Sequence, residues 1–181
     1  MFERVAGAGY GRRQVMNSSI EVRLLGPLEV VVAGSAVEFE GAKQRRLFAA
    51  LALRAPEAVS VDELVEVVWS DEAPDGRGQA LQKQVSRLRA RVGDQLPVRR
   101  QPAGYVLDID RETIDCRRFE TLLERAHSER FSADPAAAAE QLAAALSLWR
   151  GPALADHRFE SSRRVRSRAW RSCTSRRSRN A

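Results

Sequence analysis

The stretch Ala80–Gly93, ALQKQVSRLRARVG, places its apolar residues at Leu81, Val85, Leu88 and Val92. The intervals of four, three and four residues trace one stripe of a 3.6-residue helix and are incompatible with the two-residue period of a strand. The opposite face of the wheel carries Gln82, Lys83, Ser86, Arg87 and Ala90. Such a helix must seal one side against a core and leave a basic, amide-rich side outside. That outer side is either a solvated surface or one shaped to lie in a nucleic-acid groove, and the flanking elements have to decide.

Upstream, IEVRLLGPLEVVVAGSAVEF (Ile20 to Phe39) consists of β-branched runs interrupted by Gly26-Pro27 and Ala33-Gly34-Ser35, the pattern of an antiparallel meander. AKQRRLFAALALRAP predicts a helix from about Lys43, with Leu47, Leu51 and Leu53 inward and Pro56 as its stop. SVDELVEVVW opens with Ser60 followed three residues later by Glu63, a capping box, and has Leu64, Val67 and Val68 as its stripe with Trp69 at its end. SDEAPDGRG reads as a loop. After the basic helix, LPVRRQPAGYVLDI gives two short strands around Pro102-Ala103-Gly104, a hairpin. Meander, three helices and a hairpin form the α+β layout of a winged helix-turn-helix, in which the third helix enters the major groove. Arg99, Arg100 and Gln101 fall on the hairpin arm, where phosphates are expected.

The charge distribution agrees with this layout, although the total misleads. Of a net +6, residues 157–181 contribute +8 through nine Arg against one Glu, so the preceding chain sums to −2. Within that part Glu57, Asp62, Glu63, Glu66, Asp71, Glu72 and Asp75 form an acidic block without Lys or Arg. Arg77, Lys83, Arg87, Arg89, Arg91, Arg99 and Arg100 follow, interrupted by Asp94 alone. Other classes find little support. LFAALAL is too short for a membrane span, so no membrane partner is expected. Cys116 and Cys173 lie outside any ligand spacing and read as reduced cytoplasmic thiols. His127 and His157 stand apart from metal-type clusters, and GAGYG (Gly7 to Gly11) is no phosphate loop. Catalysis, cofactor and metal are accordingly not expected.

Beyond Asp110 the pattern becomes all-helical. DCRRFETLLERAHSERF aligns Phe119, Leu122, Leu123 and Ala126. DPAAAAEQLAAALSLWRG has Asp134 as N-cap, Pro135 at the first position and Gly151 as its expected stop. This is a helical hairpin of the repeat type, and a lone pair leaves a face uncovered. The expected organisation is a disordered leader (1–19, with Met16 a natural start), a winged helix (20–110), a helical hairpin (111–156) and an Arg/Ser-rich tail (157–181). The tail is too poor in apolar residues to order itself. It reads as the product of a frameshift near Asp156 that truncates the chain, with an arginine-rich arm that grips phosphates as the functional alternative.

Ile20 to Asp110 resembles the OmpR/PhoB-type winged helix in the form carried by the SARP antibiotic-regulatory activators. LLGPLEV, KQRRLFAALALR, VDELVEVVW, LQKQVSRLRARVG and PAGYVLDID carry the resemblance. DCRRFETLLERA and AALSLWRGPALAD resemble the start of the bacterial transcriptional activator domain that follows in that family. The resemblance implies a sequence-specific activator of a biosynthetic gene cluster, cytoplasmic and nucleoid-associated. It would bind direct repeats of double-stranded DNA as a dimer and recruit RNA polymerase and its sigma factor. Gln82 and Arg87 match base-reading positions, Gln suited to adenine and Arg to guanine, with Lys83 and Ser86 on the same face. Arg77, Arg89, Arg91, Arg99 and Arg100 are assigned to the DNA backbone, Ser86 being also within its reach. Arg89 has a salt bridge to the acidic second helix as its alternative, and Lys83 plain solvation. Asp62, Glu66 and Asp71 are assigned to the polymerase from the acidic block, with a plain solvated acidic face as the alternative. The chain departs from the family in a wing tip poorer in Gly and in Ala90 where a second Arg is common. A protein-interaction module and an inactive remnant are the competing readings.

Overall fold

A computed structural model describes residues 20–69, 75–131 and 134–155. The meander forms as β1 (Ile20–Arg23), β2 (Glu29–Val32) and β3 (Ser35–Ala36), antiparallel in that order. Ile20 pairs with Val32 and Arg23 with Glu29, while Val32 pairs with Ser35 across a two-residue turn. Ala33 and Gly34 in that turn have φ of 50° and 79°. Positive φ at both positions gives the turn the twist that a tight hairpin requires. The third strand is shorter than the run to Phe39 suggested, and Val37 adds one bond back to the Val30 carbonyl at 2.8 Å.

Three helices follow: α1 (Gly41–Arg54), α2 (Val61–Trp69) and α3 (Arg77–Val92). Helix α1 begins two residues before the expected Lys43. Gln44, only 2% exposed, accepts from the Glu40 N–H at 2.9 Å and closes the first turn. At α2 the Ser60 Oγ accepts from the Glu63 N–H at 3.2 Å, the first half of the capping box. The second half is absent: the Glu63 carboxylate lies 3.8 Å from Arg54 and ties α2 to the end of α1 instead. Leu47, Phe48, Leu51, Leu64, Leu81 and Leu88 belong to one continuous buried core. Burying side chains of this size is the main source of stability.

The hairpin is β4 (Val98–Gln101) and β5 (Gly104–Leu107), with Gln101 opposite Gly104. A 3-10 turn (Arg111–Thr113) leads into α4 (Asp115–Phe131) and α5 (Pro135–Ser147). Asp134 caps α5 by accepting from the Ala137 N–H at 3.0 Å, as its sequence predicts. Helix α5 ends at Ser147, earlier than the expected stop at Gly151. The reason is tertiary: the chain leaves the helix so that the Arg150 N–H donates to the Leu25 carbonyl at 2.8 Å and the Leu154 N–H to Leu24 at 3.0 Å.

The winged helix and the helical hairpin share one core. Val22 and Ile114 form a parallel bridge, and Ile114, Cys116, Phe119, Ala145 and Leu154 belong to the same buried cluster as Val22. The joint is polar as well. Asp115, the first residue of α4, accepts from the backbone N–H groups of Leu24 and Leu25 at 2.8 and 2.9 Å. Arg117 donates to the Leu53 carbonyl at 2.6 Å, and Arg150 pairs with Glu29 at 2.6 Å. Among the described residues no helix is long and apolar enough to cross a membrane, and no group of His, Cys, Asp or Glu converges as metal ligands would.

Candidate nucleic-acid interface

Helix α3 is seated by the four residues of its apolar stripe, Leu81, Val85, Leu88 and Val92, all buried. It starts after Gly76, whose φ of 75° turns the loop into the first helical residue, Arg77. With the stripe sealed, Gln82, Lys83, Ser86 and Arg87 are all exposed. Gln79, one turn before Lys83, is exposed on the same line, so the polar face is one residue longer than the sequence assignment. Lys83 and Arg87 take part in no ion pair among the described residues. Their charges are therefore available to a partner.

The arginines assigned to the DNA backbone divide into two groups. Arg77 is exposed at the start of α3, and no ion pair among the described residues involves it. Arg89, itself exposed, donates through its Nε to the Val98 carbonyl at 2.7 Å. Among the described residues no salt bridge joins Arg89 to α2; the bond to the hairpin stands in its place. Arg91 pairs with Glu40, fastening the end of α3 to the start of α1. On the hairpin, Arg99 lies 3.2 Å from Asp108 with both side chains exposed, and the Arg100 guanidinium sits 4.8 Å over the Tyr105 ring. Stacking of this kind holds the guanidinium while leaving its edge free to donate.

The hairpin's position relies on Gly104. Tyr105 and Val59 exchange backbone bonds of 2.8 and 2.9 Å, and a Cβ on residue 104 would lie 1.9 Å from the Val59 carbonyl oxygen. Only glycine allows that approach, and its φ of +146° is a conformation that other residues rarely adopt.

On α2, Asp62 is exposed and Glu66 half-buried, with the side chains of Leu64, Val67 and Val68 turned to the core. Trp69 closes the helix end under Lys43, whose Nζ lies 5.7 Å from the ring centroid. Asp71, the leader 1–19 and the tail 157–181 lie outside the described residues.

Three polar groups at the joint carry no signature in the sequence. Asp115 is 6% exposed, and burial raises its carboxyl above the ordinary range. The N–H groups of Leu24, Leu25 and Cys116 and the charge of Arg150 work against that shift. Nothing in the local sequence sets Arg117 or Arg150 apart. Their partners, Leu53 and the Leu25–Glu29 stretch, are far away along the chain, so no local pattern could have revealed them.

Residues 38–107 match the family described as "Transcriptional regulatory protein, C terminal", and residues 114–178 match "Bacterial transcriptional activator domain". The chain belongs to the SARP-type transcriptional regulators. RedD of Streptomyces coelicolor, a transcriptional regulator, is 35% identical over 144 residues, which are 76% of this chain and 41% of RedD. The transcriptional regulatory protein EmbR of Mycobacterium tuberculosis is 32% identical over 148 residues, 77% of this chain and 37% of its own length. The solved structure of EmbR in complex with a low-affinity phosphopeptide superposes with a TM-score of 0.72 at 30% identity. That superposition covers 77% of this chain and 38% of EmbR. The chain thus spans about two-fifths of the length of these SARP-type relatives. The activator-domain match also runs on to residue 178, past the boundary expected at Asp156.

Proposed function

We propose that this SARP-type chain binds duplex DNA sequence-specifically and activates transcription of a biosynthetic gene cluster. Helix α3 reads base edges through Gln82, Lys83, Ser86 and Arg87. Arg77 and the hairpin arginines Arg99 and Arg100 hold phosphates, which fix register and orientation. Two copies bind side by side on direct repeats. The acidic face of α2, Asp62 and Glu66, with Asp71 beyond it, meets a basic surface of RNA polymerase or its sigma factor, where complementary charge favours encounter and orientation.

The observation that carries this reading is the polar face of α3. Its Gln side chain can donate to adenine N7 while accepting from adenine N6–H2, and its Arg side chain can donate to both guanine O6 and N7 in the major groove. They stand exposed on a helix whose other face is fully sealed, with Lys83 and Arg87 uncommitted to any ion pair among the described residues. A helix designed only for solubility would have no need of a hairpin held beside it by a glycine that tolerates no side chain.

The test is a competition assay on cognate and random duplexes over a salt series. Arg87→Ala should lose about 1–3 kcal/mol on the cognate site and relax preference at one base pair. Arg99→Ala should weaken all sequences alike and reduce the salt slope by about 1. Equal losses for Arg87→Ala on both duplexes would remove the base-reading assignment. A flat salt response of the unmodified chain would favour a protein-interaction module. For the polymerase face, Glu66→Lys together with Asp71→Lys should lower transcript yield in vitro without weakening DNA binding.

A further inference from the structure

The hairpin is gripped along both of its edges, by different means. On the β5 side the Val59–Tyr105 backbone exchange fastens it to the loop between α1 and α2. Among the described residues no strand pairs with the other side of β4, which is an edge strand. There the Val98 carbonyl, at the first residue of β4, takes the Arg89 Nε–H at 2.7 Å. Arg89 lies two residues after Arg87 in the last turn of α3. A single side chain of the base-reading helix therefore determines where the free edge of the hairpin begins, one residue before Arg99 and two before Arg100. The bond is directional and charge-assisted, which makes it stronger than a neutral one. Arg91 on Glu40 fastens the same turn of α3 to α1. The helix end is thereby anchored on the body while Arg89 extends to the hairpin.

We propose that Arg89 is a positioning residue that sets the angle between α3 and the hairpin. Through it, Arg99 and Arg100 reach phosphates of the same DNA site whose bases Gln82 and Arg87 contact. This rests on the DNA-binding reading above and gives Arg89 a task different from the phosphate contact assigned to it by position. Bases and phosphates are separated by a fixed distance in a duplex. A hairpin free to swing would hold its arginines near the backbone without registering them against α3.

The experiment is a mutant cycle in the full chain: Arg89→Ala, Arg89→Lys, the pair Arg99→Ala and Arg100→Ala, and the triple variant. Each is titrated with cognate duplex over a salt series, and backbone amide exchange is followed in the DNA-free protein. Positioning predicts that Arg89→Ala flattens the salt slope by about 2, one for each hairpin arginine that disengages. It also predicts that the triple variant is no worse than the Arg99/Arg100 pair, because contacts that act as one unit do not add. Without DNA, the β4 amides should exchange faster in Arg89→Ala while those of the buried part of α3 stay unchanged. Arg89→Lys keeps the charge but lacks the Nε donor, and it should behave like Arg89→Ala.

A slope change of about 1, additive with the hairpin pair and restored by Arg89→Lys, would instead make Arg89 a direct phosphate contact and overturn the proposal. Should the unmodified chain show no salt-dependent DNA binding, the reading of function falls. The exchange arm then decides the coupling alone: faster β4 exchange in Arg89→Ala supports it, and unchanged exchange overturns it.

Discussion

Replacing Asp115 is the sharpest test of how the two halves of this chain are joined. Its two carboxylate oxygens accept from the Leu24 and Leu25 N–H groups at 2.8 and 2.9 Å, across a sequence separation of ninety residues or more. The same two residues have their carbonyls taken by the Leu154 and Arg150 N–H groups. The backbone groups of Leu24 and Leu25 are thus satisfied by α4 and the segment after α5, while the Leu28 carbonyl takes Arg45 of α1 at 3.1 Å. Asp115→Ala strands two buried N–H donors, each worth about 1–3 kcal/mol, so the loss should be about 2–6 kcal/mol. Asp115→Asn keeps the shape, but its amide offers one acceptor and turns an NH2 towards the second N–H, so about 1–3 kcal/mol should be lost. The pH dependence has a definite sign. Burial raises the carboxyl pKa in the folded protein above its unfolded value. The proton is therefore held more tightly in the folded state. The stability linked to it is fully present below the unfolded value and is lost as pH rises through the folded one. Asn cannot titrate, so the advantage of wild type over Asp115→Asn should narrow as pH rises from the acid range towards neutrality. Urea unfolding of the three proteins across that range measures both effects through the midpoint and slope. A loss below about 0.5 kcal/mol for Asp115→Ala, the size of an ordinary surface substitution, would refute the account of the joint. An advantage over Asp115→Asn that widens with rising pH would refute the account of its titration.

Two further outcomes follow from the same physics. Gly104→Ala forces either an unfavourable backbone or a retreat from the Val59 carbonyl, and the Val59–Tyr105 bonds go with it. It should cost about 2–4 kcal/mol and raise amide exchange at Tyr105, which hydrogen-exchange NMR reads directly. Leu88→Ala empties a fully buried site beneath α3 and should cost about 2–5 kcal/mol in denaturant unfolding, with no dependence on salt.

Much of the architecture was legible because it rests on local rules. The stripe Leu81, Val85, Leu88 and Val92 specifies a helix and its buried face, and the structure seals those four residues. Ser60 and Asp134 mark helix starts through hydrogen bonds that span three residues, and those bonds form, with Pro135 at the start of α5 where its missing N–H costs nothing. Errors appear where an end depends on something distant. Helix α5 stops at Ser147 and not at Gly151 because Arg150 and Leu154 are drawn to the meander. Glu63 abandons its capping box for Arg54.

For the candidate interface, the amino-acid order by itself determined which residues face outward on α3, since a helical period and a stripe of four apolar side chains leave no other choice. It also determined that Gln and Arg donors and the Lys83 charge would lie on one surface. The tertiary structure alone decided what each arginine does with its charge. Arg89 is taken by Val98, Arg91 by Glu40, Arg99 by Asp108 and Arg100 by the Tyr105 ring, while Lys83 and Arg87 stay clear of ion pairs among the described residues. A long flexible cation reaches several partners about equally well, and the differences among them are small against the burial of a core. Its choice follows only once the core has placed those partners, and it leaves no trace in the spacing of residues.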